Sequence, residues 1–314
     1  CEKQLLRCMH PGVLPFLGIC LDPPSLLTLH MSHGTVAKHL YGKGRCASNP
    51  SGISAAGAAG TVGGAAVAAA DGSREGDAAE GGASAGCVDD EAKMSGTIRN
   101  SDGLIVKVNG EVTDMCVCRW ATQMASAISR LHAEKIIHGD ISCRNALLDA
   151  NYNVKITDYL VHDPEEDYAL ASQSLHWEAP EALAGEVDGY TSKTDAYSFA
   201  MTLYEMAIRG KPWGERTNSE VRREVSEGSR PPLMPLQEWS DGFEGTDSWI
   251  SVVKKSWDPA PERRMEVWKM SEVLARTYEE CQMYEARKQR KETKEKEEEG
   301  AEDAAAVGSA EQTS

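Results

Sequence analysis

Three side chains in the middle of the sequence carry groups suited to chemistry: Asp140, Asn145 and Asp158. The first two lie in the polar segment 138–145, HGDISCRN, and Asp158 follows the apolar run 154–156. Any one of them alone reads most simply as a turn or cap residue. Because the three residues lie next to short apolar runs that we expect to be strands, one base and two oxygen ligands can face a single cleft. Mg²⁺ prefers such ligands, and phosphoryl transfer needs mainly positioning and charge neutralisation from the protein.

This set resembles the catalytic loop H-R-D-x-x-x-x-N and the metal-binding D-F-G motif of eukaryotic protein kinases. The resemblance implies that Asp140 is the base that orients a substrate hydroxyl, and that Asn145 and Asp158 are ligands of Mg²⁺. It also implies ATP as the phosphate donor and a protein with a phosphorylatable hydroxyl as the substrate. The implied fold is α+β and bilobal, with a complete helical C-terminal lobe and a partial β-structured N-terminal lobe.

Three downstream segments resemble the same family, namely 177–181 (WEAPE), 190–199 (YTSKTDAYSF) and 257–264 (WDPAPERR). The resemblance implies that Asp195 anchors the backbone of the catalytic loop. It also implies an ion pair between Glu181 and Arg264 that stabilises the fold rather than taking part in catalysis. Loss of one partner of a buried ion pair is costly.

Upstream, the segment 26–31, LLTLHM, resembles the strand and hinge against which the adenine of ATP packs. The resemblance implies that Thr28 is the gatekeeper and that Met31 offers hinge backbone groups to the nucleotide. Leu147 is then the floor beneath the adenine. Without the resemblance, each of these residues reads as ordinary core, which is the usual role of an apolar side chain.

Two residues indicate a subgroup. Arg144, four residues after the proposed base, and Trp177, just before Ala-Pro-Glu, are similar to tyrosine kinases and the tyrosine-kinase-like group, and Arg144 is assigned a catalytic role on this basis. Ser142 stands where serine/threonine kinases usually have Lys. The acceptor hydroxyl, of Tyr or of Ser/Thr, remains open. Tyr168 reads either as a phosphorylation site or as an unmodified exposed tyrosine.

Three departures from the family pattern bear on activity. Gly139 replaces the Arg that meets an activation-loop phosphate, and Leu160 replaces the Gly of D-F-G. If that position needs a positive φ, Leu costs about 1–2 kcal/mol. The Gly-rich strand and the strand Lys belong before the first helix, and the partner Glu of that Lys would align near residues 1–2. Because the chain begins with Cys rather than Met, we expect a truncated kinase that is inactive alone.

Two other functions fit parts of the pattern. A pseudokinase or scaffold module is favoured by Gly139, by Leu160 and by the lack of a Gly-rich strand and strand Lys in this sequence. A small-molecule kinase is disfavoured because the segments 177–181 and 257–264 resemble protein-substrate kinases.

The elements that position these residues follow from hydrophobic periodicity. Four segments are predicted: a partial N-terminal lobe with the hinge at 1–41, a Gly/Ala-rich disordered insert at 42–103, a helical lobe at 104–278 and a charged, disordered tail at 279–314 that begins as a helix. Helices are predicted over 1–9, 34–40, 113–132 (with Thr113 as the N-cap), 192–208, 247–256 and 266–278. Strands are predicted over 13–20, 25–30, 136–138, 146–148 and 154–156.

Composition limits the remaining possibilities. A net charge of −16 argues against general binding to nucleic acid or anionic membranes. No stretch has the eighteen or so uninterrupted apolar residues of a membrane helix. The nine cysteines lack C-x-x-C spacing, which disfavours a zinc site and favours reduced thiols. These features predict a cytoplasmic protein or the intracellular part of a longer one.

Overall fold

The computed structural model describes residues 10–22, 24–41, 96–159, 175–185, 190–241 and 247–311. Within these ranges the strands are β1 Phe16–Leu21, β2 Pro24–Thr28, β3 Gly34–Thr35, β4 Thr97–Arg99, β5 Ile105–Val108, β6 Glu111–Val112, β7 Ala146–Leu148 and β8 Val154–Ile156. The helices are α1 Val36–Tyr41, α2 Asp114–Ala133, α3 Pro180–Ala184, α4 Ser192–Ile208, α5 Asn218–Ser226, α6 Met234–Asp241, α7 Asp247–Ser256 and α8 Val267–Glu311. Short 3₁₀ turns lie at Cys143–Asn145, Leu175–Trp177 and Pro261–Arg263.

Helix α4 is the centre of the fold. Its residues from Thr194 to Ala207 are all buried, so the helix packs against the rest of the fold on every side. The helix begins at a capping box: Thr191 Oγ1 accepts from the backbone N–H groups of Lys193 and Thr194, and the Thr194 hydroxyl accepts from Thr191 N at 2.9 Å. The prediction of a helix over Ser192–Ile208 is confirmed.

Helix α2 packs one face against the core and lies beside α8 and β8. The side chains predicted to share that face are all buried, namely Trp120, Met124, Ala127, Ile128 and Leu131. Thr113 caps the helix as predicted, because its Oγ1 accepts from Cys116 N at 3.2 Å. Trp120 Nε1 donates to Tyr152 O at 2.9 Å, which fixes the turn between β7 and β8 against the helix.

A small antiparallel sheet in the order β3-β7-β8 holds the polar loops at its ends. Strand β7 starts directly after Asn145, and β8 ends two residues before Asp158. The segment before β1 extends this sheet, because Ile156 N donates to Gly12 O at 2.8 Å and Leu14 N donates to Ile156 O at 2.9 Å. The strands predicted at 146–148 and 154–156 are confirmed.

The last residues of the predicted disordered insert, 96–103, are ordered in the described part of the chain. Residues 97–99 form β4, which pairs antiparallel with β5, and β5 pairs in turn with β6. Asn100 makes the turn, because its Oδ1 accepts from Asp102 N at 3.1 Å and Leu104 N at 2.9 Å. The prediction of disorder is therefore wrong for 96–103, because an Asx-type turn allows a polar segment to pair as a hairpin.

The strand predicted at 136–138 is absent. Ile136 N donates to Leu131 O at 2.9 Å, and His138 N donates to the Asp195 carboxylate at 2.8 Å. These backbone donors are satisfied by a helix end and by a side chain 57 residues away, so no strand partner is needed. The two isoleucines gave a strand-like pattern because both pack inward or partly inward.

The tail over 279–314 was predicted to begin as a charged helix and then to become disordered, whereas helix α8 continues to Glu311. Its Glu, Lys, Arg and Ala residues are strong helix formers, and the sequence places opposite charges three and four residues apart. The short helices α3, α5 and α6 were not predicted. Helix α5 had a readable signal, because Thr217 and Glu220 form a reciprocal capping box.

Several predictions lie outside the described residues: the helix at 1–9, the insert over 42–95, and the positions of Leu160 and Tyr168. None of the described helices combines the length and the apolar composition needed to cross a bilayer.

Candidate active site

The loop that carries Asp140 is hydrogen-bonded to helix α4. Both carboxylate oxygens of buried Asp195 accept backbone donors from this loop, His138 N at 2.8 Å and Gly139 N at 2.9 Å. His132 Nε2 also contacts Asp195 Oδ2, at 2.7 Å. Gly139 has a φ of 78°, a conformation that glycine adopts without strain. Asp195 therefore fixes the backbone that presents Asp140, as the resemblance implied.

Asp140 and Asn145 face each other within this loop. Asn145 Nδ2 donates to Asp140 Oδ2 at 2.7 Å and to Asp140 O at 2.9 Å. The other carboxylate oxygen, Asp140 Oδ1, is buried and has no hydrogen-bond partner in the described part of the chain. Buried polar atoms are nearly always paired, so this oxygen is suited to accept a hydrogen bond from a bound group.

Asp158 lies close to this pair. Thr157 N donates to Asn145 O at 2.9 Å, which joins the loop after β8 to the loop before β7. Burial raises the pKa of the Asp158 carboxyl; the nearby charge of Asp140 raises it further, and that of His138 lowers it. Asp158 also adopts a φ of 57°, a strained conformation that persists mainly at functional sites.

The geometry suits a divalent cation. The side-chain amide of Asn145 donates its N–H groups to Asp140, so its amide oxygen is the atom that could bind a cation. Two neighbouring carboxylates, of Asp140 and Asp158, repel each other unless positive charge lies nearby. No group of three or more His, Cys, Asp or Glu side chains suited to a metal occurs in the described ranges. A cation here would take few protein ligands and complete its shell with water and phosphate, which is typical of Mg²⁺.

Arg144 connects two segments of the chain. Its exposed guanidinium lies over the Trp177 ring, 4.9 Å from the centroid. Cation–π contacts of this kind contribute about 0.5–1 kcal/mol at exposed sites. Arg144 thus joins the loop of Asp140 to the segment before Ala-Pro-Glu.

The structure adds a residue that the sequence analysis missed, the buried acid Glu205 on α4. It accepts hydrogen bonds from Trp177 Nε1 at 2.7 Å, from Cys143 N at 3.3 Å and from the Tyr41 hydroxyl. Burial raises the pKa of Glu205, and these hydrogen bonds partly offset that effect. No signal in the sequence indicated this burial, because glutamate is usually found at the surface of helices.

The three residues predicted to line the nucleotide lie on two sheets. Gly34 N donates to Met31 O at 3.3 Å, and Thr35 on β3 pairs with Leu147 on β7. Met31 and Leu147 are half-buried. Thr28 is exposed at the end of β2, opposite Phe16, in the separate β1-β2 sheet. Met31 thus lies in the turn that leads into β3, and Leu147 lies on the strand paired with β3.

A buried ion pair closes the helical part of the structure. Arg264 binds both oxygens of the Glu181 carboxylate, through Nη1 at 2.6 Å and Nη2 at 2.7 Å. Arg264 Nη1 also donates to Lys193 O at 2.9 Å, and Lys193 Nζ donates to Arg264 O at 2.9 Å. The pair predicted between Glu181 and Arg264 is confirmed.

The family model for protein tyrosine and serine/threonine kinases matches residues 2–274 of the chain. The chain belongs to the protein kinase family. This kinase shows the mostly helical content and small antiparallel sheets of the bilobal α+β fold, so that prediction is confirmed. Kinases of this family generally use ATP and Mg²⁺.

Relatives of this kinase include two named protein kinases and a putative receptor. Fer-related kinase 1 of Caenorhabditis elegans is 30% identical over 51% of this chain and 40% of its own length. Mitogen-activated protein kinase kinase kinase 1a of Physcomitrium patens is 34% identical over 37% of this chain and 15% of its own length. A putative neurotrophin receptor of Lymnaea stagnalis, LTRK 1, is 29% identical over 52% of this chain and 20% of its own length. The kinase chain therefore spans less than half the length of these relatives.

His176, beside the Arg144–Trp177 contact, predicts a pH dependence of stability. The pKa of His176 is lowered from 6.5 to about 4, mainly by burial and also by the charges of Lys211 and Arg144. Its Nδ1 is buried without a hydrogen-bond partner among the described residues. The folded kinase therefore binds fewer protons than the unfolded chain below pH 6.5, and stability is lost as the pH falls from 6.5 to 4.

We expect His176→Gln to remove this part of the acid sensitivity. Between pH 6.5 and pH 4, the free energy of unfolding of the variant should fall by about 1–2 kcal/mol less than that of the wild type. This difference is reduced to allow for solvent screening of the histidine charge. Urea unfolding at a series of pH values measures the slope. Parallel curves for the variant and the wild type would contradict the assignment.

Proposed function

We propose that this chain is the larger part of the catalytic domain of a protein kinase that transfers the γ-phosphate of ATP to the hydroxyl of Tyr or of Ser/Thr in a protein substrate. The observation that carries the proposal is the unpaired, buried Oδ1 of Asp140. Asn145 holds the other oxygen of the same carboxylate, and Asp158 lies close by. A structural aspartate would be expected to have both oxygens paired or solvated.

In this proposal Asp140 Oδ1 accepts the proton of the substrate hydroxyl. The hydroxyl oxygen forms a bond to the γ-phosphorus while the bond to the leaving ADP oxygen breaks. Asn145 and Asp158 are the residues that would hold Mg²⁺, and the ion would supply positive charge to the phosphate oxygens. Arg144 positions the catalytic loop against the Trp177 segment. Asp140 is pre-oriented because its loop is bound to Asp195 and its Oδ2 to Asn145, so little reorganisation is needed during the reaction.

The adenine site is proposed at the corner formed by Met31 and Leu147. Backbone groups next to Met31 would meet the adenine edge, and Leu147 would pack beneath its face. Thr28, at the end of β2, is proposed as the gatekeeper that limits the depth of this site.

A second candidate function is a pseudokinase or scaffold module. It is favoured by Gly139, which removes the Arg that meets an activation-loop phosphate, and by Leu160 in place of the Gly of D-F-G. The two functions differ in one measurable respect: only the enzyme transfers phosphate.

The test uses the full-length natural protein with γ-labelled ATP and a library of Tyr, Ser and Thr peptides. We expect transfer that stops when EDTA removes Mg²⁺ and that falls by about 10²-fold in Asp158→Asn. Asp102→Asn, at an exposed turn, is the matched control and should retain full activity. Identifying the phosphorylated residue decides the acceptor class. A folded wild type that transfers no phosphate to any peptide would favour the pseudokinase.

A further inference from the structure

An acidic side chain, Glu178, lies where the Trp177 segment meets helix α3. Its backbone N donates to Leu175 O at 3.3 Å, which fixes it at the end of a 3₁₀ turn. Its Oε1 accepts from the Tyr190 hydroxyl at 3.5 Å. The side chain is partly exposed, so the carboxyl is held in place but remains open to a ligand.

Glu178 has no ion-pair partner within the described ranges. The charge of Arg222 acts on Glu178, but its guanidinium donates to Leu183 O at 2.6 Å. The pKa of Glu178 is raised to about 7, mainly by burial and also by the charge of Asp140, while Arg222 and Tyr190 act to lower it. Two acids, Asp140 and Glu178, are therefore close enough to interact, with too little positive charge around Glu178 to stabilise its ionised form at neutral pH.

We propose that Glu178 is a specificity-determining residue that pairs with a Lys or Arg side chain next to the acceptor residue of the protein substrate. This inference rests on the proposed function, because a hydroxyl at Asp140 brings the neighbouring substrate residues towards Glu178. A cation on the substrate would supply the missing positive charge and favour the ionised carboxylate. An acidic neighbour would be repelled, and a neutral one would leave Glu178 unpaired.

The position of Glu178 also explains why the recognition would be coupled to the reaction centre. Trp177, the residue before it, is bound on one side by Arg144 of the catalytic loop and on the other by Glu205. The Glu178 backbone is thus fixed relative to Asp140. A substrate cation bound at Glu178 would therefore help to place the acceptor hydroxyl at a constant distance from the base.

The test compares peptide pairs that differ only by Arg or norleucine at single positions from three before to three after the acceptor. For the wild-type full-length protein we expect Arg, at one or two adjacent positions, to raise kcat/KM about tenfold over norleucine, as a charge-assisted hydrogen bond would. In Glu178→Gln this ratio should fall to about one. Glu238→Gln, an exposed glutamate on α6, is the control and should keep the wild-type ratio.

A pH series gives a second readout that needs no variant. The wild-type preference for Arg should increase from pH 6 to pH 8 as Glu178 ionises, and it should be flat in Glu178→Gln. If Glu178→Gln does not fold, the wild-type series alone decides. A preference that is constant with pH, or an equal Arg-to-norleucine ratio in wild type and variant, would overturn the proposal.

Binding measured without ATP separates this inference from the proposed function. Fluorescence anisotropy with the same peptides should show tighter binding of the Arg peptide to the wild type than to Glu178→Gln, even if no phosphate is transferred. Absence of transfer together with this binding preference would reject the catalytic proposal and keep the substrate-recognition role. Equal binding of the Arg peptide by both proteins would reject the role of Glu178.

Discussion

Asp140→Asn is expected to lower kcat for phosphate transfer by about 10²- to 10⁴-fold, the usual contribution of a general base. The amide is nearly the same size as the carboxylate, and its oxygen can still accept from Asn145 Nδ2. It cannot take a proton from the substrate hydroxyl at neutral pH. The loop should keep its conformation because Asp195 binds its backbone, not its side chains. Initial rates at saturating ATP and peptide measure the effect.

The control for this variant is Asp102→Asn, which changes the same groups at a residue whose side chain is 64% exposed. Thermal unfolding of Asp140→Asn should match the wild type, which shows that the loss is chemical. If Asp140→Asn retains wild-type kcat while Asp158→Asn abolishes transfer, Asp140 is not the base.

Arg264→Leu is expected to lower the free energy of unfolding by about 3–5 kcal/mol. The guanidinium is fully buried, and its loss leaves the Glu181 carboxylate buried without its bidentate partner. The Lys193 carbonyl and the Pro259 carbonyl would lose donors as well. Urea unfolding at pH 7, followed by fluorescence, measures the change.

A double variant separates the cost of an unpaired charge from the value of the pair. Replacing both partners, Glu181→Leu with Arg264→Met, should recover most of the stability lost in Arg264→Leu, because no charge is then left unpaired. Arg263→Leu is the matched control, since the neighbouring arginine is mostly exposed and pairs with Asp258 at the surface. A loss in Arg264→Leu no larger than in Arg263→Leu would show that the pair does not stabilise the fold.

The sequence predicted the elements whose signals are local. Helix α4 follows from the helical pattern over 192–208, and the start of α2 follows from Thr113. The resemblance to kinases supplied two long-range contacts, Asp195 with the catalytic loop and Glu181 with Arg264, and the structure contains both. Propensity alone contains no information about these partners, because they lie 57 and 83 residues apart.

The features that were missed depend on contacts between distant segments. Residues 136–138 look like a strand until their backbone donors are assigned to Leu131 and Asp195. Glu205 has the residue type of a surface helix former, and only packing shows that it is buried against Trp177 and Cys143. Glu178 reads as a spacer in WEAPE, and its environment arises from Tyr190 and Arg222, which join it in the folded chain.

The hydrogen bonds of Glu205 make three distant segments one cooperative unit. Moving the catalytic loop away at Cys143 would remove one hydrogen-bond donor from the fully buried Glu205 carboxyl, which is unfavourable in free energy. Moving Trp177 or Tyr41 away would remove a donor from the same carboxyl. Partial openings that release only one segment are therefore disfavoured. Amide exchange with deuterated water at Cys143 should proceed only through opening of the whole helical core.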